Sequence, residues 1–258
     1  MSVVHVENEN HITRVTINRP AQLNALNYEV LKILNDTIER LHIDPNVHVV
    51  IFTGAGDRAF SAGADLKERK ELNEQQVRRN VKLISHVCEG IANLPQPTIA
   101  AINGHALGGG FELMLACDFA VTVSAATFGL TETKWGIIPG AGGTQRLPRL
   151  IGAMKAKEMI LTAQTITAQE AEALGLVLRV VELDQLSSAC NTLADSILNN
   201  APIAVRQAKY AIHHGMKTDF TSGLAIEGKA YDITIPTEDR REALEAFSEK
   251  RAPEFKGR

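Results

Sequence analysis

The chain has 258 residues, 45% of them hydrophobic and 22% charged, which suits a soluble globular fold with one large domain or a core and a smaller appendage. A formal net charge of −3 argues against a dominant nucleic-acid or anionic-membrane surface, and no apolar run approaches the roughly 20 residues needed to cross a bilayer. Cys88, Cys117 and Cys190 are widely spaced in apolar contexts, the pattern of buried thiols in a reducing compartment and not of a disulfide frame or zinc site. Strand-like sequence begins almost at once, at Val3-Val-His-Val-Glu, without the regions of a signal peptide. The expected location is therefore cytoplasmic, with a mature organellar matrix form left open.

In chain order, His11–Asn18 alternates as a strand, and Tyr28–Leu41 carries helical spacing at Val30, Leu31, Leu34, Ile38 and Leu41. Val47–Thr53 is a β-branched run stopped by Gly54-Ala-Gly56. A long helix is expected from about Glu74 to Leu94, ended by Pro95 and Pro97. Thr98–Asn103 reads as a strand, Gly108-Gly-Gly110 opens a helix through Cys117, and Phe119–Val123 is a further strand. This β-then-α rhythm implies an α/β domain whose sheets are covered by helices. After about Leu183 the pattern turns to helices, at Gln185–Asn199, Ile203–His214, Phe220–Ile233 and Glu238–Lys250, punctuated by Pro202, Gly215 and Pro236. Leu224, Ile226, Tyr231, Ile233 and Ile235 put apolar residues on more than one face of that tail, as a subunit interface or a helical lid would require.

Two carboxylates stand out because their surroundings are apolar and glycine-rich. Glu112 follows the triple glycine within His105–Asp118, and Glu132 sits within Phe128–Gly140. Burying an ionised carboxylate in such company is costly, so each needs a partner or a chemical purpose. The nearby glycines allow backbone N–H groups to approach a ligand, and acid/base groups beside such donors suit proton chemistry next to a carbonyl. Three small-residue segments supply candidate donors: Ala59–Lys67, Gly108–Gly110 and Pro139–Pro148. The triple glycine has neither the spacing of a dinucleotide fingerprint nor the Lys-Ser/Thr of a P-loop.

The ordered set of segments resembles the enoyl-CoA hydratase (crotonase) superfamily over nearly the whole chain. Asn18-Arg-Pro, Leu23-Asn-Ala-Leu, Ala62-Gly-Ala-Asp65, Pro97–Gly110, Ile138–Leu147 and Lys250-Arg carry that resemblance. It implies a spiral of repeated ββα turns over residues 1–195 holding the active site, and a C-terminal α-helical trimerisation region over 196–258, in a homo-oligomer that is commonly a hexamer built as a dimer of trimers. It places an oxyanion hole on the N–H groups of Ala64 and Gly109, catalytic carboxyls on Glu112 and Glu132, and water placement on the Gly140 N–H. Coenzyme A, a part of the substrate and not a cofactor, is expected along Ala62, Ala64, Asp65 and Leu66, with Phe247 and Lys250 reaching it from a neighbouring subunit. No separate cofactor, metal, membrane or nucleic-acid partner is implied.

Relatives with isomerase, dehalogenase or decarboxylase chemistry usually replace one of the two glutamates, so keeping both favours addition of water to a 2-enoyl thioester. Ala64–Arg69, Gly129–Lys134 and Thr234–Arg240 further resemble the AU-RNA-binding methylglutaconyl-CoA hydratase subgroup. The helix that is lysine-rich in that relative reads Lys32, Asp36, Glu39, Arg40 and Asp44 here, so RNA binding is not expected. Hydration of a branched dicarboxylic acyl-CoA, enoyl isomerisation and a non-catalytic RNA-associated scaffold are the competing readings. Among the remaining candidates, His105 is expected to be buried or supporting, Asp118 to make a local backbone hydrogen bond, and Arg146 to tie down its loop. Trp135 either lines the acyl pocket or packs in the core, His213-His214 lacks matching metal-ligand spacing, and Glu238–Arg241 is expected to be a solvated helix start.

Overall fold

A computed structural model describes residues 2–258. Among these, the strands form two sheets. Strands β1 (Val4–Glu9), β2 (Ile12–Ile17) and β3 (Val49–Gly54) begin the larger sheet, in which β1 runs antiparallel to β2 and β2 parallel to β3. The chain then enters the smaller sheet through β4 (Ala59–Ser61) and passes through α2 (Leu66–Glu71) to the long helix α3 (Glu74–Ala92). The earlier helix α1 (Tyr28–Ile43) buries the stripe expected from its spacing, Val30, Leu31, Leu34, Ile38 and Leu41. Asn27 caps α1 by accepting from Val30 N–H, a contact worth about 1 kcal/mol.

The strand-strand-helix unit repeats. Strand β5 (Thr98–Ile102) pairs with β3 in the large sheet, β6 (His105–Leu107) pairs with β4 in the small one, and helix α4 (Gly109–Ala116) follows. Strands β7 (Phe119–Val123) and β8 (Thr127–Gly129) repeat the step and lead to α5 (Gly143–Ile151). Helix α6 (Ala153–Thr162), strand β9 (Ile166–Thr167), helix α7 (Ala168–Ala173) and strand β10 (Arg179–Val181) complete the orders β1-β2-β3-β5-β7-β10 and β4-β6-β8-β9. This is the expected ββα spiral.

Phe52, Phe60, Phe111 and Phe128 are fully buried, and the rings of Phe111 and Phe128 meet at 5.8 Å in a tilted pair. Each ring removed from water contributes about 2–3 kcal/mol before entropy is counted. Apart from Glu112, helix α4 carries only glycine and apolar residues, and every one of its residues is buried. Glu112 goes into the interior because the helix that carries it does.

Four helices end the chain: α8 (Leu186–Leu198), α9 (Pro202–Gly215), α10 (Phe220–Thr234) and α11 (Glu238–Glu249). Helix α8 packs on β3, β5 and β7, while α9 and α10 pack mainly on each other. Lys209 of α9 is anchored to the core, donating to Gln96 O at 2.8 Å and pairing with Asp118 at 2.6 Å. Asp118 therefore serves a longer-range purpose than the local bond expected of it, since it also accepts from Thr98 N–H and Oγ1–H. The start of α11 differs from expectation too. Asp239 is buried and accepts from the N–H groups of Lys256 and Gly257, because the chain end folds back over it.

Candidate active site

The parallel strands β4, β6 and β8 all deliver their C-terminal ends to one cavity of about 560 Å³. Ligand sites in α/β folds gather at such strand ends. The segment after β4 supplies Ala62 and Ala64, the one after β6 supplies Gly108, Gly109 and Glu112, and the one after β8 supplies Thr131, Glu132 and Trp135. Helix α3 closes the opposite wall with Val77, Val81 and Ile84. That stripe has helical spacing and looks like ordinary core in the sequence, which is why it went unrecognised as a pocket wall.

Two residues with free backbone donors, Ala64 and Gly109, line this cavity. Leu26 N–H donates to Gly63 O at 2.8 Å and Leu26 O accepts from Asp65 N–H at 3.2 Å, a parallel bridge that turns the N–H of Ala64 the other way. Gly109 is the first residue of α4, so its N–H has no partner within the helix and sits at the positive end of the dipole. Among the described residues neither N–H has an acceptor. Gly63 lets the two segments approach closely. At φ +82° it adopts a conformation that favours glycine, and a Cβ there would lie 2.7 Å from Leu107 O and 2.8 Å from Gly109 N.

Glu112 is 2% exposed. Its Oε1 accepts from Ala141 N–H at 2.7 Å and Gly143 N–H at 2.8 Å. Burial raises its pKa, and the N–H groups of Gly143, Ala141 and Gly140 oppose the rise by stabilising the anion. Glu132, 9% exposed, begins the 3-10 turn Glu132–Trp135. Its Oε2 is buried without a hydrogen-bond partner. Burial and then the charge of Glu112 push its carboxyl up to about 7, with its own backbone N–H and, less, Arg69 acting in the opposite direction. The two acids thus share a cavity but differ in support: Glu112 is held by main-chain donors, whereas Glu132 favours its neutral form.

A matching family model, described as Enoyl-CoA hydratase/isomerase, spans residues 7–258. The chain belongs to the enoyl-CoA hydratase/isomerase family. YngF of Bacillus subtilis is 54% identical over 252 residues, covering 98% of this chain and 96% of the relative. The mouse mitochondrial methylglutaconyl-CoA hydratase is 48% identical over 262 residues, covering 100% of this chain and 83% of its own. A crystal structure of an enoyl-CoA hydratase from Bacillus anthracis superposes with a TM-score of 0.97 at 50% identity, covering 99% of this chain and 100% of that one.

Within this family member, Glu112, Glu132, Ala62, Ala64, Leu66, Gly109 and Gly140 all line the one cavity. Asp65 does not offer its carboxylate there. It caps α2 through the N–H groups of Lys67 and Glu68 and pairs with Arg19 at 2.8 Å. Burial works against its ionisation, but the Arg19 contact and the capping N–H groups outweigh that and hold its pKa below the usual carboxylate range. Phe247 is 85% exposed and Lys250 ends α11, and neither lines the cavity of its own chain. Trp135 lines the cavity while 62% exposed, so it is a wall and not core. His105 is half-buried and shares a hydrogen bond of 2.9 Å with Thr127 Oγ1.

Arg146 ties its loop as expected, donating to Ala141 O at 2.9 Å and pairing with Glu89 at 2.8 Å. The consequence for Glu112 lay beyond the sequence, because Arg146 grips the same residue whose N–H holds the carboxylate. Among the described residues no three His, Cys, Asp or Glu side chains gather as a metal site, and no helix is long and apolar enough to cross a membrane.

Proposed function

We propose that the protein is an acyl-CoA hydratase, adding water across the C2=C3 double bond of a trans-2-enoyl-CoA to give the 3-hydroxyacyl-CoA. The observation carrying this reading is that both glutamates line the same cavity as Ala64 and Gly109, whose N–H groups have no acceptor among the described residues. The thioester oxygen accepts from those two donors. One water lies between Glu112 and Glu132; Glu112 takes a proton from it as its oxygen bonds to C3, and the C2=C3 electron pair moves onto the thioester as an enolate. Two fixed donors stabilise that charge, each typically worth about 3 kcal/mol of barrier. Glu132 then gives its proton to C2, and the pair exchanges protons with solvent to begin again.

The electrostatics support this division of labour. Main-chain hydrogen bonds favour the anion at Glu112, and a carboxyl near 7 keeps a proton available on Glu132 at neutral pH. Coenzyme A would run past Ala62, Ala64 and Leu66, with Phe247 and Lys250 meeting it from another subunit. Exposed Phe220, Tyr231 and Phe247 on the C-terminal helices support a homo-oligomer, in our reading a dimer of trimers. A panel of 2-enoyl-CoA thioesters of increasing length, followed by loss of the conjugated-thioester absorbance, tests the assignment. Conversion to the 3-hydroxyacyl product is expected, whereas movement of the double bond without gain of water would replace hydration by isomerisation.

A further inference from the structure

Among the described residues lining the cavity, Arg69 is the one cation. It lies on α2, one turn beyond Asp65, and its guanidinium has no hydrogen-bond or ion-pair partner among the described residues. The acids on the same helix do not neutralise it. Asp65 is committed to Arg19, while Glu68 accepts from Tyr28 N–H and Asn80 Nδ2–H.

We propose that Arg69 makes this site selective for enoyl-CoA substrates whose acyl chain ends in a carboxylate. The inference rests on the hydratase reading above and names the substrate class. When an uncharged acyl chain fills the cavity, it displaces the water solvating the guanidinium and puts nothing polar in its place, between walls such as Val77, Val81 and Trp135. A terminal carboxylate instead supplies a planar, two-pronged acceptor that fits guanidinium geometry. The cation lines the same cavity as both glutamates. It is near enough to Glu132 to draw that carboxyl downward against burial and the charge of Glu112.

The test uses the intact protein with 2-pentenoyl-CoA and glutaconyl-CoA, which share chain length and differ in the terminal carboxylate. Wild type is expected to favour glutaconyl-CoA in kcat/KM by about tenfold or more, and Arg69→Gln to erase that preference while Arg69→Lys keeps part of it. Equal losses on both substrates would overturn the proposal, since they indicate a contact to the coenzyme handle or a structural role. So would a wild-type enzyme with no preference. Calorimetric binding of the unreactive pair pentanoyl-CoA and glutaryl-CoA separates this inference from the reaction itself. Selective binding of glutaryl-CoA, lost in Arg69→Gln, supports the Arg69 assignment even if no hydration occurs, whereas hydration without selective binding removes the Arg69 assignment alone.

Discussion

Replacing Glu132 with glutamine should stabilise the fold in a pH-dependent way. A carboxyl held at about 7 in the folded protein, against an ordinary value of 4.5, prefers its neutral form. Below about pH 4.5 the folded and unfolded chains both carry the proton and the group costs nothing. Between the two values the unfolded chain ionises while the folded one does not, so stability falls as pH rises. Above about pH 8 the full penalty applies, about 3 kcal/mol at 1.36 kcal/mol per pH unit. Glutamine keeps the shape and cannot ionise, and its own hydrogen-bonding cost is the same at every pH. The difference in stability between variant and wild type should therefore grow by about 3 kcal/mol from pH 4.5 to pH 8.5, or about 6 °C in Tm for a chain of this size. Thermal or urea unfolding at matched protein concentration across that range reads it. A difference that stays flat with pH would show that Glu132 is not held neutral by burial and by Glu112, and the division of roles between the two acids would fall with it.

Other expectations follow from the site's scaffolding. Gly63→Ala puts a Cβ against Leu107 O and Gly109 N, so it should separate the two N–H donors and lower kcat by about a hundredfold, the scale of losing one oxyanion donor, in folded protein as judged by circular dichroism. Arg146→Met removes the grip on Ala141 O and should loosen the N–H groups that favour ionised Glu112. Its pH–rate profile should then shift upward on the limb set by the base, with kcat more affected than KM; an unchanged profile would make Arg146 a purely structural residue.

Long elements were plain in the sequence because their periodicity is. The stripes of α1 and the β-branched run in β3 appear where their spacing puts them, and α3 ends at Ala92, three residues before Pro95. The three strands that build the site, β4, β6 and β8, are three residues each, too short to display any period. They are held by pairing with one another, which is not a local property of the chain. The same reason hid the support of Glu112, since backbone N–H groups of Ala141 and Gly143 leave no side-chain signature. Asp239 was misjudged because the chain end that buries it comes from almost 20 residues further on. The pairing of the Asp65 carboxylate with Arg19 is hidden for the same reason, since 46 residues separate the two in sequence.

The most direct measurement is turnover of a 2-enoyl-CoA by Glu112→Gln and Glu132→Gln, each first shown to be folded and to bind a saturated acyl-CoA as wild type does. Both variants should lose at least about two orders of magnitude in kcat, because an amide retains the shape of the acid but cannot pass the proton. A variant that hydrates at close to the wild-type rate would show that its carboxyl moves no proton in the reaction, and water addition by the paired acids would be wrong.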